Sequence, residues 1–382
     1  MTIDQSQQHD HPVTSRALGP QHRFNLGLFS YNTYGGLTNT LAPERWEASW
    51  ANMVALTKAA EDAGLDFVLP LAGWLGHQGA APTDGCFHET MAWAAGLLQA
   101  TRRIQVFATI HVPFLNPVFA AKQAATCDHI GNGRFAFNVV AGYNRDEFDM
   151  LGVDYLDHEE RYAYLEEWLT IVKRIWSEDA PFDFAGKHFD LRRVWGKPGP
   201  AGRDRPIVVS AGSSPAGRSF ALRHADALFM IITNRNLLAE ELRQVRASMG
   251  RRQIKVYASG HVICRRTRKE TEEYFHYLVH ERGDHAAGQY MLKSYEEIKS
   301  IPESVLRTPE FLDRLMSGHG TYRVMGDPDE VVAIFRRLAE DGLNGMAIAL
   351  PSYLDDFAFF REEVLPRMEA AGLRKALVPG DE

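Results

Sequence analysis

Three cysteines, Cys86, Cys127 and Cys264, are all the chain holds in 382 residues, and no two stand in C-x-x-C spacing. That leaves no disulfide frame to hold the fold. It points to reduced thiols in a cytoplasmic protein. Positive charge is also short, with a formal net charge of −7. A nucleic-acid partner would need a basic surface and is not expected. No run approaches the ~18 apolar residues of a membrane span. Residues 1–22, rich in Gln, His and Pro, lack the apolar centre of a signal peptide and read as a mobile arm. His88-Glu89-Thr90 is not H-E-x-x-H, and no other His and carboxylate spacing makes a metal site. A nucleotide loop is missing too. Gly131 to Gly142 fits G-x-G-x-x-G/A, but it follows an amphipathic stretch and opens a strand, the reverse of the order that cradles a dinucleotide.

What is present is a rhythm. Buried strands are expected at Phe24 to Phe29, Leu65 to Leu69, Ile104 to Thr109, Arg134 to Asn138, Pro206 to Ser210, Ala227 to Ile232, Lys255 to Cys264 and Asn344 to Leu350. Between them lie amphipathic stretches, the first opened by Pro43-Glu44 with Trp46, Trp50, Met53 and Val54 on one face. Others run over Glu89 to Ala100, Pro117 to Ile130 and Pro215 to His224. Asp157 with Glu160 three residues on reads as a capping box, and Asp327-Pro328-Asp329-Glu330 as a second helix start. Two segments break the alternation. Residues 178–203 suggest a hairpin, and residues 276–324 suggest a long irregular cover. Eight strand–helix units with two insertions predict an α/β fold, a TIM (β/α)8 barrel, in a single domain over residues 23–375. A doubly wound open sheet competes. It would bring a glycine-rich first turn, where Tyr31 to Leu41 instead carries aromatics, threonines and asparagines.

In a barrel, the residues at the strand ends line the functional face. Asn138 ends the fourth strand and Thr109 the third, while Gly212-Ser213-Ser214-Pro215 joins a strand end to a helix start, a place for a phosphate. The blocks Ala63 to Phe67, Ala121 to Asp128, Gly131 to Gly142, His158 to Tyr162, Ala211 to Ser214 and Gly326 to Asp329 together resemble the bacterial luciferase-like flavin monooxygenases. Within that family the chain is most similar to the alkanesulfonate, dimethylsulfone and pyrimidine-ring-opening enzymes.

The resemblance implies a two-component monooxygenase. Reduced FMN would come from a separate NAD(P)H:flavin reductase and react with O2 to a flavin-peroxide that attacks a small organic substrate. A homo-oligomer, dimer or tetramer, is implied as well. By the same resemblance, Ala72, Gly73, Thr109, Asn138, Glu147, Arg161, Tyr162, Ser213 and Ser214 would bind the cofactor. Gly73 departs from the larger polar residue of the pyrimidine-type enzymes. Thr109, Asn138 and His111 would serve the chemistry, the first two favouring a peroxide at N5 of the flavin. Tyr31, Trp74, His88 and Tyr143 would meet the substrate. An F420-dependent oxidoreductase of the same superfamily and a non-catalytic flavin-binding protein are the alternatives.

Overall fold

The computed structural model describes residues 22–376, apart from 82–83, 202–204, 213, 251, 253, 299–300 and 302. Eleven strands follow one another: β1 (Asn25–Phe29), β2 (Phe67–Leu69), β3 (Gln105–His111), β4 (Phe135–Val140), β5 (Phe182–Ala185), β6 (Asp190–Val194), β7 (Ile207–Ala211), β8 (Ala227–Met230), β9 (Lys255–Cys264), β10 (Tyr322–Gly326) and β11 (Gly345–Ala349). Eight of them, β1, β2, β3, β4, β7, β8, β9 and β11, pair in parallel in that order, and β11 returns to β1. The sheet is closed. The expected barrel is what forms, and all eight expected strands take part.

Closure has a plain cause. The strands are short, apolar on both sides and separated by helices, so each side chain is buried either inside the ring or beneath the helix layer. Phe67, Phe107, Ala136, Val209, Phe229, Tyr257 and Ala347 fill the interior. Phe67 meets Phe107, Phe229 and Tyr257 edge-on, with centroids 5.6 to 6.1 Å apart. The outer faces pack against helices such as Thr90–Ala100, Pro117–Ile130 and His158–Ser177. The turn between Pro117–Ile130 and β4 uses left-handed backbone at Asn132 (φ 49°) and Gly133 (φ 81°). Glycine adopts this freely and asparagine tolerates it. The motif is thus a helix stop, not a nucleotide loop.

Three local expectations need correcting. The first helix is Trp50–Asp62, capped by Ser49, not a helix opened at Pro43. Trp46 lies ahead of it and donates its indole N–H to Tyr31 O at 2.8 Å. Asp157 caps His158–Ser177 by accepting from Glu160 N at 2.9 Å, but the Glu160 carboxylate turns to Lys187 and His188 instead of closing a box. The box at Asp327 and Glu330 is complete.

Segment 276–324 is not irregular. It carries helices His285–Ile298, Glu303–Leu306 and Pro309–Gly318 and ends in β10, which adds in parallel to the far half of β9 outside the barrel. Its polarity reflects helices with one buried face: Met291, Phe311 and Leu315 pack together there. Between β4 and β7, β5 and β6 form an antiparallel hairpin. Its turn is tied down by Glu167, which accepts from Lys187, His188 and Phe189 backbone N–H groups. Of the expected N-terminal arm, all but His22 lies outside the described residues. No described helix is long and apolar enough to cross a membrane.

Candidate functional site

At the C-terminal ends of β3 and β4 the parallel register sets Thr109 opposite Asn138. Asn138 Nδ2 donates to Thr109 Oγ1 at 3.2 Å, and Thr109 Oγ1 donates to Pro70 O at 2.6 Å. The threonine proton is therefore committed to the backbone beyond β2. Asn138 Oδ1 is buried and has no partner. An orphaned buried acceptor costs free energy unless something supplies an N–H, so it points to a ligand with a donor on its edge.

Next to this pair, Glu147 is drawn in from the short helix Arg145–Leu151 and is almost wholly buried. Its Oε1 accepts from Trp74 N at 2.9 Å and Leu75 N at 3.3 Å, and its Oε2 faces His111 Nδ1 at 3.5 Å. Burial pushes the carboxyl up, but the contact with His111 and the two backbone bonds outweigh it and hold the group below its ordinary range. Glu147 is thus an anion that fixes the chain after Ala72 and Gly73. His111 sits among Trp74, Phe114 and Tyr143, with ring centroids 5.6 to 6.1 Å away. Trp74 and Tyr143 remain well exposed and form an apolar shelf against His111.

The second half of the site is the helix start after β7. Gly212 and Gly217 touch backbone to backbone, since a Cβ on Gly212 would lie 2.6 Å from Gly217 C. Ser214 caps Pro215–His224, accepting from Gly217 N at 3.1 Å, and lies 3.0 Å from His158 Nε2. Burial raises the Tyr162 hydroxyl pKa, and the Ser214 hydroxyl bonded to it partly offsets this. Arg161 stacks over the Tyr155 ring at 4.4 Å, and its buried Nε and Nη1 have no acceptor. A guanidinium with unmet donors beside a helix N-terminus and a hydroxyl cluster fits a phosphate. Ser213 lies outside the described residues.

Not every expected residue reaches this face. Tyr31 is fully buried, bonded to Thr57 Oγ1 at 2.7 Å and packed on Trp93, so it is core. His88 Nε2 meets Ala48 O at 2.8 Å, which ties a loop down. Three contributors were not singled out from the sequence: Tyr155, Phe114 and His158. His158 could have been found, since it stands one turn before Tyr162 on a helix whose cap was read correctly.

An apolar shelf, an orphan acceptor and a guanidinium with unmet donors lie on one barrel rim, and together they are the groups that a flavin and its phosphate would require. The chain belongs to the luciferase-like monooxygenase family, matched over residues 25–345. It is 29% identical over 344 residues to the FMNH2-dependent dimethylsulfone monooxygenase of Pseudomonas fluorescens, spanning 88% of this chain and 92% of that one. It is 32% identical over 238 residues to a pyrimidine monooxygenase of a Bradyrhizobium species, spanning 59% and 64%. The crystal structure of riboflavin lyase with modified FMN and riboflavin superimposes with a TM-score of 0.82, covering 92% of this chain and 93% of that chain at 21% identity. The last likeness concerns the fold.

Proposed function

We propose that this protein is a two-component monooxygenase that accepts reduced FMN from a separate NAD(P)H:flavin reductase and uses it with dioxygen to oxygenate or cleave a small organic molecule. The observation that carries the assignment is Arg161: a buried guanidinium with two unpartnered nitrogens is costly to keep unless an anion completes it. Arg161, Tyr162, His158 and Ser214 would hold the phosphate, and the Asn138 amide would hold an N–H on the ring edge. Ala72 and Gly73, fixed by Glu147, would lie against the ring. Bound and reduced, FMN supplies the electrons that activate dioxygen.

The chain's own part is orientation and exclusion of water. Thr109 acts here as a positioning residue. Its proton is spent on Pro70 O, so it aims the Asn138 amide through its own lone pair. His111, held against Glu147 and walled by Trp74 and Phe114, is the candidate proton carrier. The same reading carries a cytoplasmic homo-oligomer, which light scattering on the purified protein checks.

Anaerobic calorimetry with reduced FMN, FAD, NADH and F420 tests the proposal. Reduced FMN should bind most tightly, and admitting oxygen should consume it with product formation. Preference for F420 would move the chain to the hydride-transfer branch. Oxygen uptake indistinguishable from free flavin would leave a binding protein. Thr109→Ala should keep FMN binding while oxygen use uncouples toward hydrogen peroxide, and Thr109→Ser should restore coupling.

A further inference from the structure

A small cleft, partly open to solvent, lies on the β1–β2 side of the rim. Its walls come from the loop after β1, from His77, Ala81 and residues 84–87, and from Asp284, Ala287 and His319. The Phe87 ring links this cleft to the proposed flavin side: it lines the cavity, and a Cβ on Gly73 would stand 3.3 Å from it. Neither His77 nor His319 was among the residues assigned to the site from the sequence.

The protonation pattern of this wall follows from its hydrogen bonds. Asn39 Nδ2 donates to Leu315 O at 2.9 Å and to Met291 Sδ at 3.1 Å, which fixes the amide. Its Oδ1 therefore faces His319 Nε2, 3.2 Å away, and an oxygen there can only accept. Nε2 must carry the proton. Burial, with His77 and His261 nearby, disfavours a second one. His319 Nδ1 is left as a bare acceptor on a half-buried ring that lines the cavity.

His77 meets His319 edge-on at 4.7 Å. Burial lowers its pKa, and the opposing pull of Asp84 and Glu147 does not cancel that, so it too is neutral and keeps one N–H. Two carboxylates line the same space with their oxygens turned to backbone. Asp84 accepts from His77 N and Gly79 N at 2.9 and 3.0 Å, and Asp284 from Ala81 N and Ala287 N at 3.0 and 3.3 Å. Arg45 is the cation among the lining residues, and it is outnumbered.

We infer that this cavity is the substrate pocket and that it selects an uncharged amide or imide, whose N–H is accepted by His319 Nδ1 and whose carbonyl is met by His77. Anions are disfavoured, because two fixed carboxylates against one guanidinium leave a negative field where a sulfonate would have to sit. Uncharged molecules avoid that penalty. They can still donate to His319 Nδ1, the ring nitrogen that Asn39 leaves open, and accept from the His77 N–H.

The inference rests on the monooxygenase reading, and the test keeps the two apart. Binding of succinimide, 2-pyrrolidone and methanesulfonate is measured by saturation-transfer NMR on the protein loaded with oxidised FMN. Both amides should bind and methanesulfonate should not. His319→Asn suits the left-handed backbone at this position (φ 51°) yet removes the imidazole acceptor. It should weaken amide binding ~5-fold, the size of one net hydrogen bond. His77→Phe keeps the ring edge and should do the same. FMN affinity should be unchanged in both variants. Tighter binding of methanesulfonate, or unaltered amide affinity in both variants, overturns the inference; loss of FMN binding by the unmodified protein overturns the function instead.

Discussion

The two ends of the rim are built in different ways. The proposed phosphate end is assembled from neighbours in sequence: Ser214 and Gly217 belong to one helix start, and Arg161 and Tyr162 to the first turns of another. The cavity end is assembled from residues far apart in the chain. Thr38 reaches Ser317 O at 3.2 Å, Asn39 reaches Leu315 and His319, and Ala81 N reaches Asp284. Local construction makes a cradle that any helix following a barrel strand can offer. Long-range construction makes a pocket whose shape depends on segment 276–324 staying docked.

Arg314 gives the strongest way to break this contrast. It is a buried guanidinium that donates to Ile232 O, Gly320 O, Thr321 O and Thr233 O, joining the insertion to the end of β8. Removing it leaves several buried carbonyls unmet at about 1–3 kcal/mol each. Arg314→Met should cost ~3 kcal/mol or more in chemical denaturation. It should also raise proteolysis within 285–318 while FMN still binds. Equal loss at both ends would show that the rim is one cooperative unit.

Arg161 sharpens the comparison from the other side, with a smaller effect. Arg161→Ala should weaken reduced FMN by ~1.5–3 kcal/mol, the range for a hydrogen bond to a charged group. Without FMN the sign for stability should reverse, because the variant loses a buried charge with unmet donors. A raised thermal midpoint together with a weakened calorimetric affinity is the expected pair. A lowered midpoint would mean that the stack on Tyr155 outweighs the desolvation cost.

The same contrast governs what could be read from the sequence. The eight strands were legible because each is a short apolar run between turn residues, and Ser214 because strand end, small residues and helix start are contiguous. Asn138 and Thr109 were legible as strand ends, although the hydrogen bond that spends the threonine proton on Pro70 was not. Segment 276–324 was read as irregular because its glycines, prolines and charges outvoted a one-sided apolar stripe. The buried faces of Phe311 and Leu315 appear only once Met291 lies against them. His319 was illegible for a stronger reason. Its tautomer is set by Asn39, 280 positions earlier in the chain.

The smallest expected effect is one of pH, and it should separate the cavity end from the barrel interior. His77, His261 and His319 all belong to the cavity end or to the strand beneath it, and all three have pKa values below the ordinary 6.5. Burial is the main cause in each. Arg323 and Arg314 add to it at His261, where Nδ1 meets Thr321 Oγ1 and Nε2 meets Ser317 Oγ, both at 2.9 Å. A histidine with a depressed folded-state pKa favours the unfolded state once protons are available. The stability it contributes is complete above the unfolded value near 6.5 and is lost as pH falls from there toward the folded values. Carboxylates with lowered pKa values, Glu61 and Glu147, act only in a more acidic window. Between pH 7.5 and 6.0 the histidines should therefore dominate, these three together with His158 and His224, whose pKa values burial also lowers. An unfolded imidazole is about three-quarters protonated at pH 6.0, so each histidine should cost less than ~1 kcal/mol across that range, a smaller effect per residue than either substitution. Hydrogen exchange should show helices His285–Ile298 and Pro309–Gly318 losing protection across that range while the interior strands β3 and β4 hold theirs. His261→Asn should flatten the dependence in the insertion. If protection falls equally in β3 and β4, the insertion and the barrel open together, and the long-range construction of the cavity end does not give it separate dynamics.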